Sequence, residues 1–328
     1  MSTSKSRFFE PCYIWKYKEE TKNYKNGNKL GVLSRILGLK PDEKFAKHQC
    51  RGKQEEFNEH NNKREMNNKQ RAGSVLKIRN SIDDKYIFDW RSGSEKIRNL
   101  EVTKKELAKL WTETLEKCNY QFGELFLDLN DTRFPCSTEL FSKTISAEKL
   151  YLRMKSIETL EWWLGIISSN NLRELSIAPY GDQPNDIPSH VFDYPHFRSC
   201  RTLCLTDHCS FTPEQFLTIC SSVPHFSFYS DIISESVVRT AIEAQVTGNS
   251  DKFIVLEWFF ARKVNTKLVI QDLVSPKGDR RERFSHQKQC FEPVDVYSVS
   301  NENNKKLHVM VVEDSNGFCK PYSLVLFS

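Results

Sequence analysis

The chain has 328 residues, 38% of them hydrophobic and 28% charged, with 22 Phe but only 12 Gly and 12 Pro, a globular profile that excludes collagen-like and wholly disordered chains. Its formal net charge of +5 is uneven: residues 1–75 hold 17 Lys and Arg against 9 Asp and Glu, and the remainder holds 31 against 34. The apolar stretches Leu160 to Ile167 and Phe253 to Ala261 are too short to cross a bilayer, which takes about 20 apolar residues, and the first ten residues lead into no secretory signal.

A cytoplasmic or nuclear location is therefore expected, where the ten cysteines remain thiols. Residues 1–72 read as a basic, mostly irregular leader. Between Lys40 and Arg71 the chain is rich in Asn, Gln, Lys and Glu and nearly free of large apolar residues, so it buries too little surface to offset the entropy of ordering. Its cations are mixed with acids and lack interleaved aromatics, which makes a solvated tail the expected reading and a nucleic-acid partner the alternative.

From residue 73 to 328 the pattern is that of an α/β repeat domain. Val75 to Ile78 and Tyr86 to Trp90 read as a strand pair. Thr103-Lys104-Lys105-Glu106 is a capping box, and Leu107, Leu110, Trp111 and Leu115 continue it as one apolar helical face to about residue 118. Short apolar-x-apolar triplets then recur: Leu125-Phe126-Leu127, Leu150-Tyr151-Leu152, Leu175-Ser176-Ile177, Leu203-Cys204-Leu205 and Phe226-Ser227-Phe228, stepping by 25, 25, 28 and 23 residues. Such spacing suits one strand and one helix per unit.

Helices are expected between the triplets, over Ser137 to Ile145, from Ser156 with Ile157, Leu160, Leu164 and Ile167 on one side, from Thr212-Pro213-Glu214-Gln215, and from Ser234 with Val237, Val238, Ala241 and Ile242 apolar. Ala178 to Pro195 reads as a loop insertion. After residue 250 strand signals dominate, at Phe253–Phe260, Lys267–Gln271, Val294–Val299, Leu307–Glu313 and Tyr322–Phe327, with a hairpin turn at Asn301–Lys306. The expected fold is a leucine-rich-repeat-like strand-helix solenoid with a strand-rich C-terminal cap over the sheet edge.

The order of these signals from about Ser74 onward, with Gly123-Glu124-Leu125-Phe126-Leu127, Ala147-Glu148-Lys149-Leu150-Tyr151-Leu152-Arg153, Asn171-Leu172-Arg173-Glu174-Leu175-Ser176-Ile177 and Phe197 to Leu205, resembles the nematode F-box-associated domain of the FTH type. The resemblance implies a substrate receptor of a cullin-RING ubiquitin ligase, its repeat domain binding a protein target. It does not extend to an F-box. That element opens with Leu-Pro and closes with Val-Cys and a Trp, whereas the leader holds only Leu30 to Leu37 as a remnant of a first helix and Cys50-Arg51 as an echo of its end. Docking of the Skp adaptor is not expected.

No phosphate cradle, nucleophile elbow or zincin helix is present, so neither an enzyme nor a cofactor is expected. Cys200, Cys204, His208, Cys209 and Cys220 have the residue types of a zinc site without its paired short knuckles; core packing is the favoured reading. His190 and His196, in the proline-rich loop, are expected at the surface, and Trp163 in the core. If the outer residues of each triplet point inward, the middle ones share the opposite face. That places Phe126, Tyr151, Ser176, Cys204 and Ser227 in one row, with Asp128, Arg153, Thr206 and Tyr229 two residues further on, and this mixture of aromatic and charged residues is the expected partner-binding surface.

Overall fold

The computed structural model describes residues 74–81, 85–92, 95–108, 121–129, 145–179, 186–247, 255–260, 265, 268–269, 279–285, 290–300, 306–313 and 322–327. The strands are β1 (Val75–Asn80), β2 (Lys85–Ser92), β3 (Glu95–Thr103), β4 (Gln121–Leu129), β5 (Ile145–Met154), β6 (Ile167–Ser168), β7 (Glu174–Pro179), β8 (Asp186–Ile187), β9 (Thr202–Cys209), β10 (His225–Tyr229), β11 (Val255–Phe260), β12 (Asp279–Ser285), β13 (Cys290–Ser300), β14 (Lys306–Glu313) and β15 (Tyr322–Phe327). They join in one mixed sheet of 15 strands, ordered β12-β13-β14-β15-β11-β10-β9-β7-β5-β4-β1-β2-β3, with β6 beside β5 and β8 beside β9.

The middle of the sheet is parallel. From β1 through β4, β5, β7, β9 and β10 to β11 each strand pairs parallel with the next, while β2 and β3 on one flank and β15, β14, β13 and β12 on the other are antiparallel. Five of these parallel strands are each anchored by three buried apolar residues: Phe122, Leu125 and Leu127 on β4; Ala147, Leu150 and Leu152 on β5; Leu172, Leu175 and Ile177 at β7; Cys200, Leu203 and Leu205 at β9; and Val223, Phe226 and Phe228 at β10. The last two of each set are the recurring triplets. The first, three residues earlier, turns inward where the chain enters the sheet.

Helices lie on this apolar face. Helix α1 (Ile157–Ile166) is capped by Ser156, whose side chain accepts from the Thr159 N–H, and buries Leu160, Trp163 and Leu164. After a 3₁₀ turn (Ser189–Asp193), the four-residue α2 (His196–Ser199) precedes β9. Helix α3 (Pro213–Ser222) has the full capping box of Thr212 and Gln215 and buries Phe216, Ile219 and Cys220. Helix α4 (Glu235–Thr247) buries Val238, Ala241 and Ile242. All of these side chains join the strands in a single core, in which Phe211, Phe216, Phe226 and Phe228 form an aromatic cluster.

The strand-helix solenoid does not form. The strand-to-helix alternation fails between β7 and β9, where the connection holds β8, the 3₁₀ turn and one turn of helix, and the flanks are antiparallel hairpins that no helix separates among the described residues. Nor are the strands after residue 255 a cap. They extend the same sheet through β11 and β15, because an antiparallel strand completes the open edge of β11 with backbone hydrogen bonds as well as a cover would.

Three smaller expectations change with it. Ala178 to Pro195 is not merely a loop, since Ile187, Val191 and Phe192 are fully buried. Residues 268–269 are helical rather than a strand. Ile145 opens β5 instead of ending a helix, and the rest of that helix lies outside the described residues, as do the leader and residues 109–118. The capping box of Thr103 and Glu106 is present, at 2.8 Å from the Thr103 N–H to the Glu106 carboxylate and 3.2 Å in return, and starts a helical run over 104–108.

Candidate functional site

Two-residue alternation along the parallel strands sends the triplets' middle residues to the face opposite the helices. Register confirms the row: Phe126 pairs with Tyr151, Tyr151 with Ser176, Ser176 with Cys204 and Cys204 with Ser227. The row is not uniformly open. Phe126, Cys204 and Ser227 are buried, whereas Tyr151 and Ser176 are half-buried. Cys204 is also disulfide-bonded, and its partner is none of the free thiols Cys200, Cys209 and Cys220, so the expectation of thiols throughout fails at this position.

On β1, β4, β5 and β7 this face carries charge in and beside the row, one sign to a strand. Lys77 and Arg79 make β1 positive, Glu124 and Asp128 make β4 negative, Lys149 and Arg153 make β5 positive, and Glu174 starts β7 negative. Neighbouring stripes are joined by ion pairs: Lys77 to Glu124 at 3.4 Å, Arg153 to Asp128 at 3.2 Å and Lys149 to Glu174 at 3.1 Å. On the far side Arg79 meets Asp89 of β2 at 2.9 Å.

Tyr151 sits inside this lattice. Its hydroxyl donates to Glu174 at 2.7 Å, and its ring lies 6.2 Å from that of Phe126, over which the Lys77 ammonium stands at 5.7 Å. Burial, then the hydrogen bond to Glu174 and the charge of that carboxylate, raise the phenol's pKa well above the ordinary range. Burial likewise raises the Asp128 carboxyl more than Arg153 and Arg79 lower it. In the pairs made by β5, exposure separates the signs: Lys149 and Arg153 are 50% and 41% exposed, against 27% for Glu174 and 18% for Asp128. The cations of β5 therefore rise above the carboxylates that hold them.

At the other end of the row the expected geometry changes. Register shifts between Phe228 and Tyr229, so Tyr229 pairs with His208 rather than with Thr206, and the Thr206 hydroxyl turns to the Ile177 carbonyl at 3.4 Å. His208 Nδ1 lies 3.0 Å from the Asp186 carboxylate and its Nε2 lies 3.2 Å from the Asp231 N–H. Ser210 also donates to Asp186 at 2.7 Å, and the Tyr229 hydroxyl donates to Asp231 at 2.9 Å. Burial opposes the charge of Asp186, but the bonds from His208 and Ser210 hold its pKa below the usual value. Both histidine nitrogens thus have partners within the cluster.

The remaining chemical suspects are placed as follows. Cys200, Cys209 and Cys220 are buried thiols, and burial pushes Cys200 up to about 12. Among the described residues no three His, Cys, Asp or Glu side chains gather around a common point as metal ligands would. His190 is exposed and meets Glu161 at 3.2 Å, whereas His196 is buried with Nε2 2.7 Å from the Ile167 carbonyl, contrary to its expected exposure. Trp163 is in the core, its ring edge-on to the half-buried Trp162 at 5.0 Å.

Sequence reasoning missed Lys77, Glu124, Lys149 and Glu174, although the same alternation, carried one step back from each triplet, reaches the last three. It named His208 only among the zinc-type residues and did not set it beside Tyr229, because a bulge leaves no signature in residue types. No helix among the described residues is long and apolar enough to cross a membrane. No family model matches the chain, and no solved structure matches it. It is 45% identical over 324 residues to the uncharacterized protein K06H7.1 of Caenorhabditis elegans, a match covering 98% of both chains. At that identity and coverage the chain belongs to the same family as this nematode protein.

Proposed function

We propose that the chain is a non-catalytic protein-binding module that offers the charged half of its sheet face, centred on Tyr151 and Arg153, to a protein target. By its resemblance to the F-box-associated receptors of the FTH type, the sheet domain would be the target-recognition part of a ubiquitin ligase. A cytoplasmic or nuclear location belongs to the same reading, and the Skp adaptor and nucleic acid are not among the partners it calls for.

One observation carries it. Parallel sheets are ordinarily covered by helices on both faces, yet here the face away from the helices is built from cross-strand ion pairs with a tyrosine among them. Such a face tolerates water and still presents Tyr and Arg, the residue types that dominate protein-protein hot spots. The test is retention of a protein target by the full chain: replacing Tyr151 and Arg153 by Ala abolishes it while the variant still unfolds cooperatively at a modestly lowered melting temperature, and retention by that variant refutes the proposal.

A further inference from the structure

The starts of neighbouring parallel strands form a rim whose spacing the backbone fixes. The Arg173 N–H donates to the Glu148 carbonyl at 2.7 Å, the Arg201 N–H to the Arg173 carbonyl at 2.7 Å, and the His225 N–H to the Arg201 carbonyl at 3.0 Å. Arg173 and Arg201 thus stand one strand apart, about 4.8 Å, with Lys149 beside Glu148 on the strand before them.

Along this rim the cations stand outward. Arg173 is 67% exposed and only loosely held by the less exposed Glu148 at 3.9 Å. Lys149 leans on Glu174 but keeps half of its surface in solvent. Arg201 is exposed and makes no ion pair among the described residues. Arg198, three residues earlier, adds a further cation that is shared with Asp193 at 3.7 Å.

Resting on the reading of the chain as a protein-binding module, we infer that this rim receives an acidic segment of the partner, its carboxylates held by Arg173 and Arg201. Guanidinium groups grip carboxylates through paired N–H donors, which makes two adjacent arginines a directional site rather than a diffuse charge. A nucleic-acid strand fits less well. Glu148 and Glu174 interrupt the row, and it carries no Phe, Tyr or Trp, so both the continuous positive track and the stacking rings that bind single strands are missing.

The experiment measures fluorescence anisotropy of a labelled decaglutamate peptide and a labelled decathymidylate with the full chain at low ionic strength. Saturable peptide binding is expected, weakened about tenfold or more by Arg173→Glu with Arg201→Glu and unchanged by Lys104→Glu with Lys105→Glu, which reverse exposed cations far from the rim. Arg173→Gln with Arg201→Gln, of milder charge change, serves if the reversal impairs folding, and its melting curve is recorded alongside. Absence of saturable peptide binding, equal losses in the two Glu pairs, or tighter binding of the decathymidylate overturns the inference. A target lost only on substitution of Tyr151 and Arg153, and indifferent to the arginine pair, removes the rim while leaving the proposed function standing.

Discussion

Arg153 and Asp128 stand in register on neighbouring parallel strands, and the guanidinium of one meets the carboxylate of the other at 3.2 Å. The carboxylate is the more buried partner, and burial raises its pKa more than the two nearby arginines lower it. The folded state therefore holds this proton more tightly than the unfolded chain does. Its contribution to stability is complete below the unfolded value of 3.8 and is lost as pH rises through the folded value. At neutral pH the ionised carboxylate depends on Arg153. Replacing Arg153 by Ala is expected to cost about 0.5–1 kcal/mol, the scale of a pair half-open to water, and less in acid, where Asp128 is protonated. Urea denaturation at the two pH values measures the difference; an equal cost in both shows that the pair does not hold the charge.

The two sides of β5 differ in what they contribute. Leu152 is buried in the core and Tyr151 lies on the opposite face. Leu152→Ala should destabilise by about 2–5 kcal/mol through the cavity it leaves. Tyr151→Phe keeps the ring beside Phe126 and removes only the bond to Glu174, a loss of about 1 kcal/mol. Chemical denaturation ranks the two, and a reversed order would mean that the strand faces are assigned the wrong way round.

His196 supplies a pH dependence of its own. Burial lowers its pKa below the ordinary 6.5, against the opposing bond to the Ile167 carbonyl. On unfolding, the ring takes up a proton that the folded site resists, so stability is full above 6.5 and declines as pH falls below that value toward the folded one. In His196→Gln, which retains a donor for the Ile167 carbonyl, stability should depend less steeply on pH across the same window. A slope identical to that of the unsubstituted chain would assign the acid sensitivity elsewhere.

Both edges of the sheet are strands dense in charge: Asp279-Arg280-Arg281-Glu282-Arg283 runs through β12, and Glu95, Lys96, Arg98 and Glu101 lie in β3. Charged edges discourage pairing with another chain's strand. Replacing Arg281 and Arg283 by Val should therefore raise self-association, visible as a larger species in light scattering at unchanged secondary structure. A monodisperse variant would show that something other than charge protects the edge.

These edges also mark where the sequence is hardest to read. The inner strands announce themselves because burial on the helix-facing side demands Leu, Ile or Phe at fixed steps, as in Leu150 and Leu152. Strand β12 lacks that pattern and β3 keeps it only at Leu100 and Val102, since a hydrophobic edge would aggregate. Helix starts at Ser156 and Thr212 are legible because capping chemistry is local. Whether the strands after Val255 close the sheet or extend it depends on pairing over more than sixty residues, from Leu256 to Leu326, and nothing local decides that. On the face itself Tyr151 and Arg153 follow from alternation alone, whereas the disulfide at Cys204 and the bulge that brings His208 to Tyr229 depend on contacts outside each strand.

The central claim, a protein target on the charged sheet face, is tested most directly by site-specific photocross-linking. A benzophenone amino acid placed at Lys149, exposed on β5, is compared with one at Thr218, exposed on α3 on the far side of the sheet. The account predicts one discrete protein adduct from Lys149 and none from Thr218. Adducts of equal yield from both positions, or a discrete adduct from Thr218 alone, would contradict it.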